Sequence, residues 1–464
     1  MKRRKFCRGT GLAMASMMLP APSIAVLGAA STGANRYELV AQKGAQHLAG
    51  QANPQTELLL YGNSTPGPLL VGRKSDMLEV EFINRLEMAS TIHWHGIRNL
   101  NKMDGVPELT QPNVEPGERF HYRFALKDAG TFWYHAHNMA WEQVARGLYG
   151  PLIVLEEEEQ LDASNMVLVI DDWRLTADYQ IDMASMGSLH DWSHGGRLGN
   201  WLTINGKSKP DIQIARDTPV RLRLINAANA RIMTFSLAGD NQFEVVAIDG
   251  APCTAFMTDR ITLAPAQRLD VMVSLQSAQA LQEVSSDQPF DVAMLRPEIT
   301  LDNPAPNRPD ARPWYPRPDM ADARVIDIHM QGGAMGNLSS AMFQGEELSL
   351  RELAQQHRKL WAFNGEVGGY HNLLAEVDLM QKIVLRVHND SRWPHAIHLH
   401  GQHFWVNSSE ITSEPVWMLR DTYLMAQGEK AELIFIADNP GQWLFHCHML
   451  EHHAAGMGGV ISVS

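Results

Sequence analysis

The sequence predicts an all-β protein built from three related β-sandwich domains in tandem. Three observations predict it. Apolar and polar residues alternate at period two over short stretches, the spacing of strands with one face on a core. Gly, Pro, Asn and Asp break these stretches repeatedly, and long amphipathic helical patterns are scarce. One strand–loop–strand block also recurs three times along the 464 residues, a length that suits about three domains better than a single core.

The alternation is explicit in each copy. Leu78, Val80 and Phe82 alternate with Glu79 and Glu81, and Phe120, Tyr122 and Phe124 with His121 and Arg123. Val220, Leu222 and Leu224 alternate with Arg221 and Arg223, and Ile383, Leu385 and Val387 follow the same rule. Each pattern predicts a half-buried strand. The repeat is a strand, an Asn (84, 226, 389), a loop, a second strand and a Gly (96, 239, 401), with Asn-to-Gly separations of 12, 13 and 12. A second block recurs at Val114, Leu263 and Met425. Such self-similarity marks repeated structural units. The first and third copies carry histidines where the second has Phe235-Ser236-Leu237-Ala238. A Pro-rich stretch from Pro304 to Pro318 reads as a linker. Domain 1 is therefore expected over 35–158, domain 2 over 159–303, the linker over 304–322 and domain 3 over 323–464.

Composition narrows the function. The formal charge of −13 disfavours nucleic acid as a partner. With only Cys7, Cys253 and Cys447, no disulfide framework can form, so the core must hold the fold. Histidine (20) and Met (24) are plentiful, and both are ligand types suited to copper. Residues 1–34 read as an export signal and leader. Arg3-Arg4-Lys5-Phe6 before a weakly apolar run resembles a twin-arginine signal. The run is too short to span a membrane, and no later stretch is long enough. The expected location is periplasmic or secreted, with no membrane span.

The histidine pattern carries the chemistry. Chance placement of 20 histidines would give about one His-x-His. There are four: His93/His95, His135/His137, His398/His400 and His446/His448. Residues i and i+2 of a strand share a face, so each pair offers two imidazoles to one spot. Eight imidazoles from copies one and three exceed the needs of one ion and suit a cluster at the interface of those domains. Cys447, between His446 and His448, must project to the opposite face. With His395 upstream and His452 and Met457 downstream, it completes the ligand set of a blue-copper centre. One strand would then serve two metal sites, and an electron taken up at one could pass through the Cys447 backbone to the other.

At this point the residues resemble the multicopper oxidases, which include laccases and bacterial cuprous oxidases. The matching stretches are His93-Trp94-His95-Gly96, Tyr134-His135-Ala136-His137, His395-Ala396-Ile397-His398-Leu399-His400-Gly401 and His446-Cys447-His448-Met449-Leu450-Glu451-His452, ending at Met457. The resemblance spans roughly 35–464 and implies three cupredoxin-like Greek-key β-sandwich domains with four copper ions. It implies type 1 copper on His395, Cys447, His452 and axial Met457, and type 2 copper on His93 and His398. The type 3 pair would take His95, His135, His137, His400, His446 and His448. Cys447 and Asp104 are the expected catalytic residues, Cys447 as electron acceptor. Asp104 either orients ligands and relays protons or is simply a turn residue before Gly105. Where the cuprous oxidases place an acid after the last type 1 histidine, this chain has His453.

The implied activity is one-electron oxidation of a phenol or aromatic amine, coupled to four-electron reduction of O2 to water. The alternative is a metallo-oxidase of Cu(I), Fe(II) or Mn(II) in copper tolerance, and a remote one is a copper-free scaffold. Partners would be O2 and a small-molecule or metal-ion reductant, with the chain a monomer. Met330, Met335 and Met342 are expected to be core or loop fillers rather than a Cu(I) store. Met183, Met186, His190 and His194 form a second soft-ligand group. His329, His357, His388 and His403 are expected to be surface or satisfied polar residues.

Overall fold

The computed structural model describes residues 35–239, 241–305, 307–408 and 417–464. The export signal expected over 1–34 lies outside the described residues. The fold is strands throughout, joined by turns and by helices of five residues or fewer.

Three pairs of sheets follow one another along the chain. The first pair has two four-stranded sheets, the second a six- and a five-stranded sheet, and the third again a six- and a five-stranded sheet beside a small hairpin, Ser340–Phe343 with Glu346–Ser349. The repeated first strands, Met77–Asn84, Val220–Asn226 and Lys382–Asn389, are used alike. Each pairs parallel with the strand that opens its unit, Arg36–Gln46, Asn165–Trp173 or Arg324–Gly332. Each also pairs antiparallel with the second repeated block, Arg119–Ala125, Arg268–Val273 or Lys430–Ile436.

The repeated asparagine does one job three times. The Asn84 amide donates to the carbonyls of Met88 (2.9 Å) and Val114 (2.8 Å), and its carbonyl accepts from the Leu86 N–H at 2.9 Å. Asn226 does the same with Arg231, Leu263 and Ala228, and Asn389 with Trp393, Ala426 and Ser391. Each side chain ties the loop after the first strand to the start of the second block. The glycines that end the motif, Gly96, Gly239 and Gly401, sit at φ of 84°, 76° and 65°, where a Cβ is strained.

One strand departs from its pattern. Val220–Asn226 is buried on both faces, not one. Arg223 is fully buried and Arg221 nearly so, and the two pair with Glu159 and Asp270. Asp270 in turn accepts from Thr131 of domain 1 at 2.7 Å. The polar face of this strand therefore meets another domain rather than water. The linker also packs: Trp314 stacks on Phe132 and donates to the Ala129 carbonyl at 3.1 Å, and Tyr315 bonds Asp128. An apolar cluster including Leu60, Trp133, Tyr149, Trp173, Ile225 and Leu450 binds the first, second and third units together.

Candidate metal centres

Four strands position the His-x-His pairs. His93 and His95 lie on Ile92–His95, and His135 and His137 lie on and just past Gly130–Ala136, with His93 directly opposite His135. His398 and His400 lie on and just past His395–Leu399, and His446 and His448 on and just past Gly441–Cys447, with His398 directly opposite His446. Period two puts each pair on one face, and antiparallel register sets two pairs side by side. Each domain thus presents a face of four imidazoles, and the two faces meet. Ring centroids of His93 and His400 are 3.9 Å apart, and those of His95 and His398 3.8 Å. All eight side chains are buried.

Outer ring nitrogens of His93, His95, His398, His400 and His446 are tied down, whereas the Nδ1 of His448 has no partner. The Nδ1 of His93 bonds the Asp104 carbonyl (2.8 Å), that of His398 the Asp421 carbonyl (2.8 Å) and that of His446 the Cys447 carbonyl (2.9 Å). The Nδ1 of His400 bonds the Asp104 carboxylate at 2.8 Å, and the Nε2 of His95 meets the Asp421 carboxylate at 3.1 Å and the Thr422 hydroxyl at 3.0 Å. The inner nitrogens are left facing one another. His93 Nε2, His398 Nε2 and His95 Nδ1 have no partner. His400 Nε2 and His446 Nε2 stand 3.0 Å apart, and with both Nδ1 atoms donating outward neither has a proton to share. His135 Nε2 stands 3.3 Å from His448 Nε2. Buried nitrogens left this way are costly unless a cation takes their lone pairs, so the donor set fits metal ions. Burial lowers the affinity of these imidazoles for protons: His95, His135, His137, His400, His446 and His448 fall well below the ordinary histidine range, and His398 to about 3. Neutral imidazole is the ligating form.

Cys447 points to the other side of its strand. Its Sγ is 3.5 Å from His395 Nδ1 and 3.7 Å from His452 Nδ1, and those two nitrogens are 3.1 Å apart. The Nε2 atoms are held from outside, His395 by the Ser391 hydroxyl at 2.8 Å and His452 by the His194 carbonyl at 2.6 Å. Met457 packs in the same core, and its carbonyl accepts from the Cys447 N–H at 3.1 Å. Burial pushes the Cys447 thiol up to about 12, so a cation is needed to hold it as thiolate. The Trp361 ring lies 4.5 Å from His452 and 5.0 Å from His395.

Asp104 combines a turn position with contacts to two of the imidazoles. It follows the turn Asn101–Met103, next to Gly105 at φ 86°, and it braces His93 and His400. His453 is half-buried, with its ring 4.3 Å from His446 and 5.9 Å from His137; desolvation, then the Lys359 ammonium, lowers it to about 4. In the second soft-ligand group, His190 on the short helix Leu189–Ser193 and His194 at its C-cap stack at 4.0 Å, and the His194 Nδ1 is spent on the His190 carbonyl at 2.8 Å. Met330 is core, while Met335 is 72% exposed and Met342 40%. His329 bonds Asp390, and His357 packs its ring on Phe343. His388 stacks on His329. His403 departs from expectation: it is buried beside Trp314 and Tyr315, with neither ring nitrogen bonded.

Sequence patterns did not single out Asp421, Thr422, Arg268, Ser391 or the His194 carbonyl. They act through loops and neighbouring domains, so no spacing rule marks them. The one hint is the polar run Arg420-Asp421-Thr422 between the apolar stretches 416–419 and 423–426.

A thiol with two imidazoles on one face of a strand, and eight imidazoles on the other, define a redox metalloprotein. Family models described as multicopper oxidase match residues 43–159, 164–282 and 344–464. The chain is similar to the multicopper oxidase MmcO of Mycobacterium tuberculosis, 29% identical, with 87% of this chain and 82% of that one covered. It is similar to laccase-1 of Botryotinia fuckeliana, 26% identical, with coverages of 91% and 80%. Among solved structures it is similar to Lac15 from a marine microbial metagenome, 34% identical, TM-score 0.70, covering 91% of this chain and 99% of that one. The chain belongs to the multicopper oxidase family. It is a copper-dependent oxidoreductase that uses O2 and a reductant.

Proposed function

We propose that the protein is a laccase-like oxidase holding four coppers and oxidising phenols or aromatic amines while reducing O2 to water. The observation that carries the reading is the strand Gly441–Cys447, whose last residue faces His395 and His452 while its neighbours His446 and His448 face the imidazole cavity. His395, Cys447, His452 and Met457 would hold type 1 copper, and His93 and His398 type 2. Of the type 3 pair, one ion would sit on His95, His135 and His448, the other on His137, His400 and His446. Bound there, copper supplies one-electron uptake at the first centre and four-electron reduction of O2 at the cluster.

The chain's own contribution is positional. Cys447 is covalently continuous with both His446 and His448, so the two centres share one backbone. Asp104 fixes the orientation of His93 and His400. His452 is buried and capped by the His194 carbonyl, with the His194 ring 5.2 Å from the half-buried Trp393. An aromatic reductant can stack on that surface without touching His452 itself. Exposed Met335 and Met183 are consistent with the second reading, oxidation of Cu(I) or another metal ion in copper tolerance. Export through the twin-arginine-like segment at Arg3-Arg4 belongs to the proposal.

The test is the visible spectrum of copper-loaded protein with O2 uptake, a phenol compared against Cu(I). An intense blue band with faster uptake on the phenol supports the laccase-like reading, and faster uptake on Cu(I) supports the second. A colourless protein that takes up no copper overturns both.

A further inference from the structure

The geometry points to Arg268, on the domain that supplies no candidate ligand, as a positioning residue for the imidazole cluster, acting through Asp421. The inference rests on the four-copper reading above.

The repeat shows that Arg268 is unusual. In the second repeated block its equivalents are Arg119 in domain 1 and Lys430 in domain 3, and both are exposed. Arg268 is fully buried. Its guanidinium touches all three domains. Nε donates to the Thr131 carbonyl of domain 1 at 3.1 Å. Within domain 2 it donates to the carbonyls of Ala266 (3.1 Å) and Asp249 (2.9 Å). Towards domain 3 it grips both carboxylate oxygens of Asp421, one at 2.8 Å.

Asp421 passes this grip to the cluster. Its carboxylate accepts from His95 Nε2, and its main-chain carbonyl from His398 Nδ1. Thr422, whose N–H donates to Asp249 at 3.1 Å, puts its hydroxyl on the same His95 nitrogen. With its Nε2 proton committed, His95 is left with Nδ1 as its lone-pair atom, and His398 with Nε2. Both are among the buried nitrogens without partners in the cavity. His95 belongs to domain 1 and His398 to domain 3, so one guanidinium fixes the relative pose of ligands from two domains. A buried ion pair is a poor source of stability compared with apolar packing. Its worth here is orientation, as for carboxylates behind metal-bound histidines.

The experiment uses the full-length copper-loaded protein and the variants Arg268→Gln, Arg268→Lys, Asp421→Asn and the Arg268→Gln/Asp421→Asn pair. The blue band of the Cys447 centre serves as an internal control, and copper content and the electron paramagnetic resonance of the non-blue copper report the cluster. Arg268→Gln is expected to keep the blue band, weaken cluster copper binding about 10- to 100-fold and alter the non-blue signal. Arg268→Lys should restore part of it, and the pair should lose no more than Asp421→Asn alone. An unchanged non-blue signal and copper content, or additive losses in the pair, would overturn the inference. So would loss of the blue band in step with cluster copper in both Arg268 variants. A wild-type protein that binds no copper would instead sink the four-copper reading.

Discussion

The second strand of the repeat can be compared between domains 2 and 3. Met233–Leu237 and His395–Leu399 follow the same asparagine clamp and lead to the same left-handed glycine. One carries Phe235 and Leu237 into an apolar core; the other carries His395, His398 and, just beyond, His400 into two polar centres. The scaffold is therefore indifferent to what the strand presents. Domain 2, relieved of ligands, sends polar groups sideways: Arg268 and Asp249 towards the cluster, and the His194 carbonyl towards His452.

The sharpest way to break this comparison is Cys447→Ser. With no thiolate, the blue band and O2 uptake should vanish, while the fold and the imidazole cavity persist. A serine variant consuming O2 at the normal rate would mean that the strand does not join two centres.

The next effect separates the imidazole-bearing domains from domain 2 by pH. Burial lowers His398 to about 3, and His452 to about 4. Unfolded imidazoles take up protons near 6.5, folded ones only near 4 or below, so as pH falls the unfolded state binds more protons. The copper-free protein should hold its stability above pH 6.5 and lose it steeply as pH drops through about 4. Urea midpoints at pH 7, 5 and 4 measure it, and a flat series would contradict neutral, buried histidines. His403, lowered to about 4 by burial, adds to the same window, and His403→Phe should shrink the slope.

Asn226→Ala and Asn389→Ala test the shared scaffold. Each strips partners from two carbonyls, at least partly buried, and one N–H, at roughly 2–4 kcal/mol. Chemical denaturation should show similar costs for both, with copper affinity falling only for Asn389→Ala. Similar copper loss in both would mean that domain 2 shapes the cluster more broadly than through Arg268. The smallest effect is Asp104→Asn, expected to lower turnover or cluster copper affinity about 10- to 100-fold with the blue band intact. Unchanged rates and copper content would return Asp104 to a turn residue alone.

These contrasts also mark what the sequence made legible. The strands, the triple repeat and the two faces of His446-Cys447-His448 follow from period two, which is local. The asparagine positions were visible as a repeat, and the structure supplies their reason, a three-bond clamp. Arg221 and Arg223 misled, because alternation cannot distinguish a polar face in water from one buried against a neighbouring domain. Asp421 and Arg268 stayed hidden for the same reason. Their partners are brought close by domain packing, with Arg268 and Asp421 separated by 153 positions.

The cluster takes half its imidazoles from each end of the chain, which has a consequence for biosynthesis. The last cluster ligand of domain 1, His137, precedes the first of domain 3, His398, by about 260 residues, which at ribosomal rates is roughly 13–50 s of elongation. Throughout that interval four histidines stand as an open half-site with no facing partner. Any divalent cation captured early would be sealed in when the third domain closes. Faithful loading thus depends on how little free metal surrounds the nascent chain, and on copper arriving only after synthesis ends.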